Sequence, residues 1–473
     1  MVATWALPKA IAIKSLDFKD IGHIYRLDEN GGVALGEESV YSTRARIEVE
    51  QAKIDSKYVN LRFSYTNRYM HRRPDGIWVA AVSTTPVEDL SDPLCTLFEP
   101  IKVDDNDDDD VFYLIHAQSG GRLVTSLTAR LSFYIEFNLS STTQGYLRAV
   151  DFDSLVRLPV RGNLAFIGDN GKYLKAFTWG NNYFQLSSDV PNDSLSRHQV
   201  TEVPDGHVRL TSIHWSVLWS LANSGWIFGN TTDATNPNTL FWPVKINENT
   251  IALRAADGKF CQRRVTSNLA NGSIGTEETT PTKEAELKVE ELVTKSLVNN
   301  VRYQDEYGRV FDETAHKGWS SMVVNSQAED VTFSLSFTYE DTKEYTFAHS
   351  YTLETGVPTV FDAALPFVGP DGSIDEAAAK INAELQWNAV NSMTRTVTGM
   401  GSIVVPAKSS VVISYVGKRG SCNVPFKYTQ VDSVYNAPIG STPVEVESEG
   451  IDGLYTATNL YDFKLVIESI QAI

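Results

Sequence analysis

From residue 331 the chain alternates with strict period two. Val331, Phe333, Leu335, Phe337 and Tyr339, then Tyr345, Phe347, His349, Tyr351 and Leu353 stand at odd positions, while the even ones are almost all Thr, Ser, Glu or Ala. Successive side chains of a strand point to opposite faces, so this pattern fits one long strand with a single apolar face. Extended at about 3.3 Å per residue, 331 to 353 would span roughly 75 Å, several times an ordinary strand. Strands of that length belong to elongated β proteins.

The alternation resumes at Ala377, Ala379, Ile381, Ala383, Leu385, Trp387 and Ala389, set against Glu376, Lys380, Asn382, Glu384, Gln386 and Asn388. Between the two stretches lies an apolar knot, Leu365-Pro366-Phe367-Val368. It reads as the tip of a hairpin over 345–390, with 345–355 and 377–387 as its arms. The second arm is also a good helix sequence. Ser373 and Glu376 make a capping box, and Ile374, Ala378, Ile381 and Leu385 fall at helical spacing. The β pattern of the first arm and the tight apolar turn favour a strand.

The N-terminal half repeats itself. "CTLFEPIKV" from Cys95 returns as "NTLFWPVKI" from Asn238, so that Thr96, Leu97, Phe98, Pro100 and Lys102 recur as Thr239, Leu240, Phe241, Pro243 and Lys245. "YVNLRFSYTNRYMHRRPDGIWVAA" from Tyr58 likewise returns as "HVRLTSIHWSVLWSLANSGWIFGN" from His207, in preserved order. Each copy consists of short β-branched and aromatic runs separated by turn signals such as "RPDG", "GDNGKY" and "AADGKF". The expected organisation is a first domain over 1–154, a second over 155–292 and the long-stranded domain over 293–473.

Composition narrows the function. Lys+Arg 41 against Asp+Glu 59 gives a net charge of −18, which disfavours nucleic acid and anionic membrane surfaces as electrostatic partners. The three cysteines are far apart and odd in number, arguing against a disulfide framework or a zinc site. Eight scattered histidines show no metal-ligand spacing, and no nucleophile elbow, P-loop or dinucleotide fingerprint occurs. Neither metal nor cofactor nor enzymatic activity is expected. The acidic run from Asp104 to Asp110 lacks the Gly and the closing Glu of a calcium loop and reads as a solvated connection. The N-terminus has no basic start followed by an apolar run, so the chain is expected to be cytoplasmic as synthesised.

The tandem copies resemble the agglutinin domains of amaranthin-like lectins in "NGKYL", "CTLFEP", "VFYLIHAQSGGRL" and "DFDSL". The resemblance implies two tandem β-trefoils, recognition of galactose- or N-acetylgalactosamine-type glycans, and pairing of protomers. It places the sugar site at an Asn-x-Tyr-Trp-like stretch, which here is Asn67-Arg68-Tyr69-Met70. Sugars need an aromatic face for their C–H patch and planar polar groups for their hydroxyls. Asn67, Tyr69, Arg72 and Asp75 supply such a kit in one loop, and Trp215 and Trp219 occupy the equivalent loop of the second copy. The recurrence of Trp78 as Trp226 points to a core role for both.

The last domain resembles the pore-forming module of aerolysin-type toxins, through the hairpin, its Trp-ended arm, and the "VPAKS" and "VPFKY" elements. The resemblance implies a protomer that assembles into a homo-oligomer, releases the hairpin and forms a membrane β-barrel. Spanning strands need about 9 to 11 alternating residues, and only a closed barrel satisfies the backbone in lipid. Leu365, Pro366, Phe367 and Val368 would lead through the bilayer, and Glu376, Lys380, Asn382, Glu384 and Gln386 would line the lumen. The alternative is a lectin whose third domain serves oligomerisation or storage without perforating.

Overall fold

The computed structural model describes all residues except 1–5, 19–20, 38, 104–110, 127–132, 137–144, 161, 191–192, 350–352, 354–355 and 435–442. No α-helix occurs among the described residues. The chain forms two compact units, one of residues 1–295 with 350–357 and 432–446, the other of 296–349 with 358–431 and 447–473. The acidic run at 104–110 lies outside the described residues.

In the first unit each sequence copy builds its own ten-stranded sheet. The first and last strands of each copy pair with one another. Ala10–Ser15 runs antiparallel to Leu147–Asp151, with Ile13 opposite Ala149, and Leu164–Ile167 antiparallel to Leu287–Glu291, with Phe166 opposite Val289. Closing a copy on itself in this way covers its edges. Each encloses a separate apolar core, around Ile13, Leu61 and Phe112 in the first and around Phe166, Phe184 and Trp219 in the second. The copies meet at Tyr41, whose buried hydroxyl donates to the carbonyls of Gly206 (2.9 Å) and Val156 (3.0 Å). Burial pushes its acidity well below that of an ordinary phenol.

The second unit is built on an eight-stranded sheet of long strands. In chain order they are β1 (Val293–Tyr303), β2 (Arg309–Asn325), β3 (Val331–His349), β4 (Thr359–Val368), β5 (Ile374–Leu385), β6 (Asn391–Val405), β7 (Ser409–Val434) and β8 (Val444–Ala472). Their order across the sheet is β5-β4-β1-β7-β8-β3-β6, with β2 on β7. β3 pairs with β6 from Val331 opposite Val405 to Tyr345 opposite Asn391 without a break in register. The odd face of β3 is the inner one, as its alternation predicts. Phe337 lies over Tyr415 (4.1 Å between centroids), and Tyr415 stacks on Phe463 (4.8 Å). Gly399 on β6 is explained here, because a Cβ at that position would run into the Phe337 ring.

Two expectations for the hairpin need correction. The strand partner of β5 is β4, not 345–355: Val360 faces Glu384 and Leu365 faces Ala379, while β3 ends at His349. Leu353 instead packs into the apolar core of the second copy. Nor is Leu365-Pro366-Phe367-Val368 the turn. It is the end of β4, and the reversal follows at 369–373, where Asp371 accepts from the Ser373 amide and hydroxyl and Gly372 takes φ +81°. That geometry suits Asp and Gly and leaves the four apolar residues free to be strand. The helical reading of 374–385 fails because β4 supplies a matched ladder, which outweighs local helix propensity.

Candidate functional site

The β4–β5 hairpin hangs on the sheet by a short parallel ladder. Among the described residues Ser296, Leu297 and Val298 of β1 are in register with Thr359, Val360 and Phe361 of β4. Its apolar face supplies much of the attachment. Phe361, Leu365, Phe367 and Val368 are buried against Phe426, Tyr428 and Tyr455, and Ala379, Ile381 and Leu385 of β5 pack on the same cluster. Burial of a large apolar side chain is worth about 1.5–3 kcal/mol, so Leu365, Phe367 and Val368 hold the far end firmly.

That far end also carries a polar clasp. Asn459 on β8, 2% exposed, accepts from the Val368 amide and donates back to the Val368 carbonyl, each at 2.9 Å. A side-chain amide thereby takes the place of a missing strand neighbour. Nearby the Tyr303 hydroxyl donates to Ala364 O at 2.6 Å, and the Lys343 ammonium sits 4.5 Å above the Phe367 ring. Burial holds the pKa of Lys343 below its ordinary value.

The outer face of the hairpin is polar. Asp362, Lys380, Asn382 and Glu384 are exposed, Gln386 lies exposed just beyond β5, and Glu376 lies within β5. One hairpin therefore presents two faces, apolar toward the sheet and polar toward water. The structure brings the tip residues and the lumen candidates together on this element.

The sugar-binding candidates separate. Asn67, Tyr69 and Trp219 are buried and have no surface to offer a sugar, which corrects their proposed contact role. Asn67 stands at φ +51° and accepts from Arg62 at 2.6 Å, while Arg62 and Tyr69 both bind Glu50, at 2.7 and 2.8 Å. This is an internal network that fixes the turn. Trp219 stacks on Phe184 (4.7 Å) and donates to His198 Nδ1 (3.2 Å), which makes it the centre of its core. Arg72 and Trp215 are half-buried and Asp75 is exposed. Trp78, expected inside, is 39% exposed beside Asp75.

Sequence reasoning missed a polar cavity of about 520 Å³ in the second copy, lined among others by Asn223, Asn238, Asp257, Lys259 and Arg264. Arg264 lies over the Trp226 ring at 4.4 Å and pairs with Glu277 at 3.0 Å. The "NSG" and "ADGK" turns were visible, but their convergence is a product of the fold. Among the described residues no cluster of His, Cys, Asp and Glu could hold a metal. Cys95, Cys261 and Cys422 are free and buried, and burial pushes the Cys422 thiol up to about 12.

An all-β chain thus joins a tandem of closed copies to a long-stranded unit with a docked two-faced hairpin. Residues 6–146 match the Agglutinin domain family. No curated protein sequence matches the chain. Among solved structures, hemolytic lectin CEL-III is similar at TM-score 0.31 and 10% identity, over 98% of this chain and 95% of that one. Lamprey immune protein is similar at 0.29 and 10%, over 98% and 100%. An aerolysin-like protein from Bombina maxima is similar at 0.25 and 9%, over 37% and 99%. At these scores the likeness assigns no role to any residue.

Proposed function

We propose that the protein is a glycan-binding lectin that targets an aerolysin-like, β-pore-forming module to membranes. In this reading the two copies are β-trefoils that hold galactose- or N-acetylgalactosamine-type glycans, and several weak contacts concentrate protomers on a surface. The protomers form a homo-oligomer, the β4–β5 hairpin leaves its sheet, and hairpins from several chains close into a barrel. Asp75, Trp78 and Trp215 are the surface groups best suited to meet a sugar. The chain performs no turnover, is cytoplasmic as made, becomes membrane-associated on assembly, and serves plant defence.

The observation that carries this reading is the hairpin's attachment. Its ladder to the sheet is three residue pairs long, so it can depart without breaking the β3–β6 ladder. The apolar face it withdraws from the core would meet lipid instead, so most of the burial energy is recovered. The twelve residues of β5 suffice for a spanning strand, given about 9 to 11 required. A second reading, a lectin whose module does not perforate, draws on the alanines of β5, since Ala377, Ala379 and Ala383 make a weak lipid face.

Dye release from liposomes bearing N-acetylgalactosaminylated glycolipid tests the proposal. Release that free sugar blocks supports it. Binding that the sugar competes, without release, leaves only the second reading.

A further inference from the structure

The polar cavity of the second copy, between the turns at 222–226 and 255–259, is rich in hydrogen-bond donors. Its wall carries the ammonium of Lys259, the guanidinium of Arg264 and the amides of Asn223 and Asn238, against one carboxylate, Asp257. Among the described residues no aromatic ring lines it. A neutral sugar usually rests its C–H patch on such a ring, so this wall suits a ligand held by charge and hydrogen bonds instead. At about 520 Å³ the cavity has the size of a ligand pocket and room for a saccharide.

The fold holds these groups ready. Asp257 accepts from the Thr276 hydroxyl at 2.7 Å and from the Lys259 amide at 3.1 Å, which fixes the second turn. The Thr276 amide donates to Gly225 O at 2.7 Å and ties the first turn to the same wall. Arg264 lies over Trp226 and donates from Nε to one oxygen of Glu277, whose other oxygen takes Gln262 at 2.6 Å. Only glycine fits at 275, where a Cβ would stand 2.6 Å from Arg264 Cδ and 2.7 Å from Gly225 O. The Nη groups of Arg264 and the side chains of Lys259, Asn223 and Asn238 have no hydrogen-bond partner among the described residues. In a chain of net charge −18 two cations therefore keep their terminal nitrogens for something else.

The first copy shows that the fold does not require them. Asn238 recurs there as Cys95, which is buried in an apolar cluster with Ala52 and Leu97. The Ala255 amide donates to Lys259 O at 2.8 Å, and the equivalent turn has the His116 amide donating to Gly121 O at 2.9 Å, so a glycine stands where Lys259 does. The amide and the ammonium belong to the second copy alone.

We infer that this cavity is a receptor for an acidic saccharide. Its carboxylate takes charge-assisted hydrogen bonds from Lys259 Nζ and the Nη groups of Arg264, while its hydroxyls meet the amides of Asn223 and Asn238 and the remaining lone pairs of Asp257. The inference rests on the reading of the chain as a glycan-binding protein. It adds a charged class of saccharide, at a site that Trp215 does not line.

The test is calorimetric titration of the full chain at constant ionic strength with methyl β-D-glucuronide and sialyllactose, with their neutral counterparts methyl β-D-glucoside and lactose, and with sodium sulfate. At least one acidic saccharide should bind more tightly than its counterpart. Lys259→Gln should weaken it by about tenfold, the loss of one charge-assisted hydrogen bond, and Asn238→Ala should weaken it as well. Neither side chain bonds to the protein, so both variants should keep the wild-type melting point. Equal affinity for acidic and neutral counterparts, or acidic binding that both variants leave unchanged, would overturn the proposal. So would sulfate binding without either acid, which would assign the cavity to a free ion. Binding of lactose but of neither acid would overturn this site and leave the lectin reading standing, whereas a chain that binds no saccharide would lose both.

Discussion

Replacing Asn459 with alanine should loosen the hairpin without unfolding the sheet. Asn459 makes two 2.9 Å hydrogen bonds to the backbone of Val368, which is itself buried. Removing the amide leaves one donor and one acceptor unsatisfied, at about 1–3 kcal/mol each, or about 2–6 kcal/mol together. The cost falls on the docked state alone, because water satisfies both groups once the hairpin leaves. At about 1.4 kcal/mol per tenfold, even the lower bound raises the undocked population about 30-fold. Amide hydrogen exchange reads this directly. Phe361, Ala363 and Ile381, which lie away from the substituted contact, should exchange about 30-fold faster, while β3 and β6 keep their protection. Exchange changed less than threefold in β4 and β5, or raised equally across the whole sheet, would refute the clasp.

Acid should weaken the second copy. Burial holds His198 down at about 4, against an unfolded value near 6.5, and its Nδ1 accepts from Trp219 only when deprotonated. The unfolded chain therefore takes up the proton first, and the stability His198 contributes, full above pH 6.5, is lost as pH falls toward 4. The loss amounts to about 3 kcal/mol, and urea titrations across that range should show it in wild type and largely lose it in His198→Gln. Trp219→Ala should cost about 3–5 kcal/mol of stability, measured by the same titrations, because it empties a core site. Trp215→Ala should cost less stability than Trp219→Ala, because Trp215 is half-buried and packs on the core from outside, and should reduce glycan binding, read on a glycan surface.

The long strands were legible because period two over many residues fits nothing else, and β3 confirms it with Phe337, Tyr345 and Phe347 on its buried face. The β5 strand was legible only in part, because Ser373 and Glu376 satisfy a helix start as well as a strand. What decides is the partner strand, which local sequence does not contain. The tip was misplaced because an apolar knot between two alternating stretches resembles a hairpin end, whereas Asp371 and Gly372 make the turn. Asn67 and Tyr69 misled for a related reason: sugar-binding chemistry and a buried polar network use the same residue types. Only the ladder shows that they face Glu50 and Arg62.

The central claim is that the hairpin must leave its sheet to perforate a membrane, and a reversible lock tests it most directly. Leu297 of β1 and Val360 of β4 are in register across the parallel ladder, so Leu297→Cys with Val360→Cys places a disulfide across the hairpin's attachment. The native cysteines are buried and do not compete. Oxidised protein should bind glycolipid liposomes and release no dye, and reduction should restore release. Equal release by oxidised and reduced protein would contradict the account.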